Sequence, residues 1–221
     1  MSRYLLILLV CVMASSAARA AEIGPIVWEP SATDPDKDAG RVSFLFPANW
    51  EKREIDVPLN TTRGFYKHPA SLDETMVGLI VTSVASPRAG GEDFDLGTAG
   101  DEELDMLSDG MVRGVALGVS DARDVMKHDY RLVIIDGVRG LSVTLSYEFD
   151  RPDDPLFNFQ ELVGVPYKKR TGRYRGGQSA VALHCTFNGL ARNDLDVIQT
   201  FADNYESICA KFFLSVKILD K

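Results

Sequence analysis

Apolar and polar residues alternate with the period of a strand over much of this chain, and recur with the period of a helix in two places. In 41–52, RVSFLFPANWEK, Val42, Phe44 and Phe46 alternate with Ser43 and Leu45 until Pro47 ends the run, which predicts a strand and a turn. Ile55 to Leu59 and Gly64 to Lys67 read as short strands, and the β-branched run 75–86, TMVGLIVTSVAS, reads as a longer one bounded by Pro87 and Gly90-Gly91. Residues 125–149 contain two apolar runs meeting at Asp136-Gly137, a dipeptide suited to the left-handed dihedrals of a tight hairpin turn. Leu156 to Tyr167 and Gln178 to Phe187 predict a second hairpin. In its second arm Val181, Leu183, Cys185 and Phe187 face one way and Ala180, Ala182 and His184 the other.

The first helical stretch follows Thr98, which stands where a capping box would begin, with Asp101, Glu102 and Glu103 in the first turn, where the helix dipole favours acids. Leu104, Leu107 and Met111 recur on one face, while Glu102, Glu103, Asp105 and Asp109 are left for solvent. Gly110, Gly114 and Gly118 make a long continuation costly. The second helix is expected over 193–213, with Asn193 as N-cap and an apolar stripe of Leu195, Ile198, Phe201, Ala202, Tyr205, Ile208, Cys209 and Phe212. Residues 215–219 add a short last strand. Strands of one sheet with helices before and after them predict α+β layers around a largely antiparallel sheet.

The N-terminus changes where this domain is expected to work. Arg3 opens a short positive region, Tyr4 to Met13 are apolar, and Ala18-Arg19-Ala20 make a small-residue cleavage box, so residues 1–20 read as a secretory signal peptide. The apolar run is about half the ~20 residues of a membrane-spanning helix. Residues 21–40, rich in Pro, Asp and Ala, read as an extended lead-in, and 41–221 as a single domain. The expected location is exported, periplasmic or secreted, in a bacterial host. The prokaryotic form of the signal argues against glycosylation at the Asn60-Thr61-Thr62 sequon.

Net charge is −8 for the whole chain and −10 once Arg3 and Arg19 leave with the signal, a balance that excludes nucleic acid and anionic membrane as partners of the whole body. Against it stands 166–178, PYKKRTGRYRGGQ. Lys168, Lys169, Arg170, Arg173 and Arg175 are flanked by Tyr167 and Tyr174 near the turn of the second hairpin. Arginine forks grip carboxylate or phosphate and tyrosines supply interface area, so this segment is a candidate contact for an acidic protein partner or a small anionic ligand. The alternative is a charged hairpin that protects a sheet edge.

Loss of Cys11 with the signal leaves Cys185 and Cys209. An oxidising compartment invites their disulfide, and two buried thiols acting as small hydrophobes are the alternative. Residues 34–40, DPDKDAG, open like a calcium loop, but Ala39 stands where glycine is needed and Leu45 where the bidentate glutamate belongs, so no metal is expected. His68, His128 and His184 lack zinc spacing. Adjacent His184 and Cys185 project to opposite faces of a strand and cannot pair as a catalytic dyad. No nucleophile elbow or glycine-rich phosphate loop is present, so no catalytic residue and no cofactor are assigned.

The order of landmarks resembles the PsbP-like family. A first strand ends in Phe46-Pro47-Ala48-Asn49-Trp50, an apolar strand ends near Ser86, and an acidic helix precedes the hairpin through Ile135-Asp136-Gly137. Ala182-Leu183-His184-Cys185-Thr186-Phe187 form a late strand, and a terminal helix ends near Phe212-Phe213-Leu214. The family includes the extrinsic photosystem II subunit, a Ran-binding import factor and small exported bacterial proteins. The resemblance implies an α-β-α sandwich over about residues 41–219 and a non-enzymatic accessory or binding role. Two further readings stay open: an exported hydrolase whose site is assembled from residues distant in sequence, and a periplasmic small-ligand carrier with a pocket near Trp50 and Tyr66.

Overall fold

The computed structural model describes residues 23–31, 42–57, 60–70, 74–86, 96–119, 121–149, 155–169 and 178–219. A seven-stranded antiparallel sheet organises them, in the order β4-β5-β6-β10-β9-β8-β7. Its strands are β4 (Glu51–Val57), β5 (Asn60–Lys67), β6 (Met76–Ser86), β7 (Ala122–Ile135), β8 (Val138–Phe149), β9 (Leu156–Lys169) and β10 (Gln178–Leu190). The chain enters through β1 (Trp28–Pro30), β2 (Val42–Ser43) and β3 (Leu45–Pro47). The predicted single strand at 42–46 is thus divided. β3 pairs with β1, inside the stretch read as an extended lead-in, and β2 pairs with β11 (Lys217–Ile218) at the far end of the chain. These partners lie far away in sequence, where local alternation carries no information about them.

Asp136 and Gly137 adopt φ of 51° and 80°, the left-handed pair that a two-residue hairpin turn requires, and join β7 to β8. The Asp136 carboxylate also accepts from the Ile218 N–H at 2.9 Å, fastening the C-terminal strand to the turn. Edge strand β4 carries the ion pairs Arg53–Glu51 at 2.7 Å and Lys52–Glu54 at 3.1 Å, and edge strand β7 is interrupted by bulges near Arg123 and Lys127. Both devices discourage pairing with other chains.

Helices cover the two faces of the sheet, giving the α-β-α sandwich. On one face lie α2 (Asp194–Asn204), a π-helical turn (Tyr205–Ala210) and α3 (Lys211–Ser215). There Phe65, Leu79, Leu183, Phe187, Val197, Ile208 and Phe212 share the larger core. Two members of the expected stripe, Leu195 and Ala202, are exposed. Val197 points inward at the first turn, and Leu195, two residues and about 200° earlier, therefore points out. Asn193 holds the N-cap position without a side-chain capping bond.

The opposite face carries α1 (Asp101–Gly118), which packs on β7 and β8 through Leu104 and Val115 against Leu141, Val143 and Leu145. Lys127 of β7 clamps the helix from the strand side, bonding Asp105 and Asp109 at 2.6 Å each and Ser108 at 2.9 Å. The cap of α1 is Gly100, with no side-chain capping bond, in place of the expected Thr98. The helix also runs through all three glycines to Gly118. Burying Val115 beyond two of them outweighs a cost of about 1 kcal/mol per glycine.

Candidate functional site

Because α1 seats on β7 and β8, its inner side leaves a cleft over β5, β6, β10 and β9, with a volume of about 800 Å³. The helical stripe Met111, Gly114, Val115 and Gly118 forms one wall. A Cβ added at Gly114 or Gly118 meets nothing within 4 Å, so the missing side chains hold this wall back. Apolar surface continues through Met76, Ile80, Phe149, Leu156 and Leu162.

The floor is polar, and strand periodicity places it there. Asn158 and Gln160 of β9 alternate with Phe157 and Phe159, which turn to the other face. His184, Thr186 and Asn188 of β10 alternate in the same way with Cys185 and Phe187. Register sets Thr186 opposite Gln160, and Asn188 opposite Asn158. The Asn158 amide donates to Thr186 Oγ1 at 2.7 Å and to Asn188 Oδ1 at 2.5 Å, while the Asn188 amide donates to Thr186 Oγ1 at 3.0 Å. Asn158 is 2% exposed, and its Oδ1 has no partner among the described residues. A buried acceptor left this way costs about 1–3 kcal/mol until a donor reaches it.

Tyr66 closes the β5 end. Its ring lies across Gly64 and Gly78, where an added Cβ would come within 2.5 Å and 3.1 Å of ring atoms. Burial pushes the Tyr66 phenol above its ordinary value, and burial pushes Tyr147 up to about 12. Burial also lowers His184 to about 4. Each titratable side chain lining the cleft is thus biased toward its neutral form, and among the described residues no Asp, Glu, Lys or Arg lines it.

A second polar cluster lies on the α2 face. The Ser142 hydroxyl donates to Glu161 Oε1, and Arg131 bonds the same oxygen at 3.0 Å and the Tyr205 hydroxyl at 2.8 Å. This network ties edge strand β7 to the π turn. Beside it His128 Nε2 and Ser146 Oγ are 2.8 Å apart, and the other described contact of the imidazole is the Phe159 ring at 5.4 Å.

The sequence-derived candidates separate. Tyr66 lines the cleft, whereas Trp50 is buried in the larger core on the opposite face. His184 and Cys185 do face opposite ways. Cys185 is bonded to Cys209 across a Cα separation of 5.5 Å, which resolves the choice between a bridge and two thiols. Tyr167, Lys168 and Lys169 continue β9, and their side chains, with Arg170, Arg173, Tyr174 and Arg175, lie outside the described residues. So do residues 1–20, read as a signal peptide, and residues 34–40. Among the described residues no cluster of His, Cys, Asp and Glu could hold a metal, and no helix is long and apolar enough to cross a membrane. The cleft floor escaped sequence reading, although its signal was present: a row of polar residues at every second position in strands apolar at the alternate ones.

No protein-family model and no curated protein matches the chain. Among solved structures it is similar to cyanobacterial PsbP, CyanoP, from Synechocystis, at 11% identity with a TM-score of 0.47, covering 88% of this chain and 94% of that one. It is also similar to LpqN of Mycobacterium tuberculosis, a protein involved in cell envelope biogenesis, at 11% identity with a TM-score of 0.40, covering 88% and 92%. A third is a Pseudomonas aeruginosa protein at 12% identity and a TM-score of 0.35, covering 85% and 95%. At identities of 11–12% and TM-scores below 0.5, these likenesses assign neither a family nor a role to this chain.

Proposed function

We propose that this chain is an exported, non-enzymatic binding protein and that the cleft beneath α1 is its ligand site. The observation that carries the reading is the unpartnered Asn158 Oδ1 in a polar floor set among apolar walls. Pockets of this size and composition bind small molecules, their few polar groups fixing orientation. Export rests on the signal-like residues 1–20.

The test is ligand retention. Protein purified from the exported fraction of its host is expected to release a bound small molecule on denaturation, detectable by mass spectrometry. Gly114→Leu should carry at least tenfold less. This substitution replaces a helix-interior glycine with a good helix former and points its side chain into open space, so the fold should gain stability while the cleft narrows. Equal retention by Gly114→Leu removes the cleft from consideration.

The basic segment retains its proposed role as contact for an acidic protein partner, since it joins β9 to β10, the two strands that carry the polar floor. Reversing Lys168, Lys169, Arg170 and Arg173 to Glu is expected to abolish salt-sensitive capture of that partner. Undiminished capture eliminates the segment.

A further inference from the structure

We propose that the cleft selects amphipathic ligands whose polar end is uncharged and donates hydrogen bonds, and that it discriminates against ligands carrying a formal charge there. The inference rests on the cleft being the ligand site and specifies what enters it.

Three observations on the lining converge. Charge is missing from the described lining: its polar members are Thr62, Tyr66, Thr82, Tyr147, Asn158, Gln160, His184, Thr186 and Asn188. A ligand carboxylate, sulfate or ammonium entering here would lose hydration without a charged side chain in the lining, since Arg53, 5.5 Å from the Tyr66 ring, is already paired with Glu51 at 2.7 Å, and uncompensated burial of an ion is far more costly than burial of a neutral polar group. The titratable groups cannot readily supply that charge, because burial holds His184 neutral down to about pH 4 and biases the two phenols against ionising.

The second observation is which hydrogen bonds are left open. Thr186 Oγ1 accepts from both asparagine amides, and Asn158 Nδ2 is spent on Thr186 and Asn188. What the triad leaves unsatisfied is an acceptor, Asn158 Oδ1, buried in the floor, which a hydroxyl or amide proton of an occupant would satisfy as the floor opens to it. Gln160 and His184 stand beside it on the same strand faces and offer both donor and acceptor capacity. A neutral head with hydroxyl or amide groups matches this set; an acceptor-only anion leaves Asn158 Oδ1 orphaned.

The third is the wall. Met76 and Met111 face the cleft alongside Ile80, Leu156 and Leu162. Thioethers adapt to irregular apolar shapes, and these side chains surround the polar patch with surface suited to a hydrocarbon or ring body.

Three probes of one chain length test the proposal, all below their micellar concentrations: monooctanoylglycerol, octyl sulfate and octyltrimethylammonium. Amide shifts of Gly78, Gly118 and Ala182 report on occupancy in the wild type and in Gly114→Leu. Monooctanoylglycerol is expected to bind at least tenfold more tightly than either ion, and Gly114→Leu to weaken it at least tenfold. Equal or tighter binding of an ion, still weakened by Gly114→Leu, overturns the ligand class and leaves the cleft standing as a site. Binding of all three that is indifferent to Gly114→Leu overturns the cleft reading itself. No binding of monooctanoylglycerol up to its solubility limit overturns the proposed class.

Discussion

Reducing the Cys185–Cys209 bridge is expected to lower stability by about 3 kcal/mol, the chain-entropy estimate for a loop of this length, seen as a lower urea midpoint with reductant than without. The loop spans a sequence separation of 24 and includes all of α2 and most of the π turn, so in the unfolded chain the bridge removes freedom from a whole helix. In the folded chain both cysteines are fully buried among Phe187, Ile208 and Phe212, and reductant acts only when this core opens. Alkylation under denaturing conditions should therefore label neither residue before reduction and both after it. Coincident urea midpoints with and without reductant would show that the sulfurs contribute only as packed hydrophobes.

Much of the sheet was legible because its strands obey two simple rules. Val181, Leu183, Cys185 and Phe187 face the larger core as their spacing requires, and Asp136-Gly137 makes the turn its dihedral preferences favour. Where sequence reading went astray, an effect from outside the local window decided the outcome. β1 and β2 exist by pairing with distant strands. α1 continues past Gly110 and Gly114 because Val115 beyond them is buried, and the cap passed from Thr98 to Gly100 with no side-chain capping bond.

The candidate site was less legible, for a related reason. Ala182 and His184 were correctly turned away from the core, but the row continues through Thr186 and Asn188, and its significance depends on Asn158 lying directly across from Asn188. That register is a long-range property. The glycines make the same point: read along the chain they weaken a helix, whereas Gly114 and Gly118 are what keeps its sheet-facing side open. Trp50 and Tyr66 were expected to share one pocket, but Glu51 is the residue paired with Tyr66, and Trp50, one position earlier, lies in the core on the other face.

Lowering the pH from 7 to 4 is expected to cost the folded state about 3 kcal/mol through His184 alone, a loss that His184→Gln should abolish. Burial depresses this imidazole from its ordinary 6.5 to about 4. Below pH 6.5 the unfolded chain takes up a proton at this position, while the folded chain refuses it until about pH 4. Through that window the unfolded state binds more protons, so stability is fully present above pH 6.5 and is lost progressively as pH falls. The other titratable groups lining the cleft, Tyr66 and Tyr147, are shifted upward and stay protonated throughout, so they add nothing in this range. Carboxylates elsewhere on this acidic chain titrate over the lower part of the window, and the informative quantity is therefore a double difference. Urea unfolding of wild type and His184→Gln at pH 7 and pH 4 should show wild type losing about 3 kcal/mol more than the variant. Equal losses would mean that the fold does not depress this imidazole, and the cleft floor would then acquire positive charge as pH falls below about 6.5.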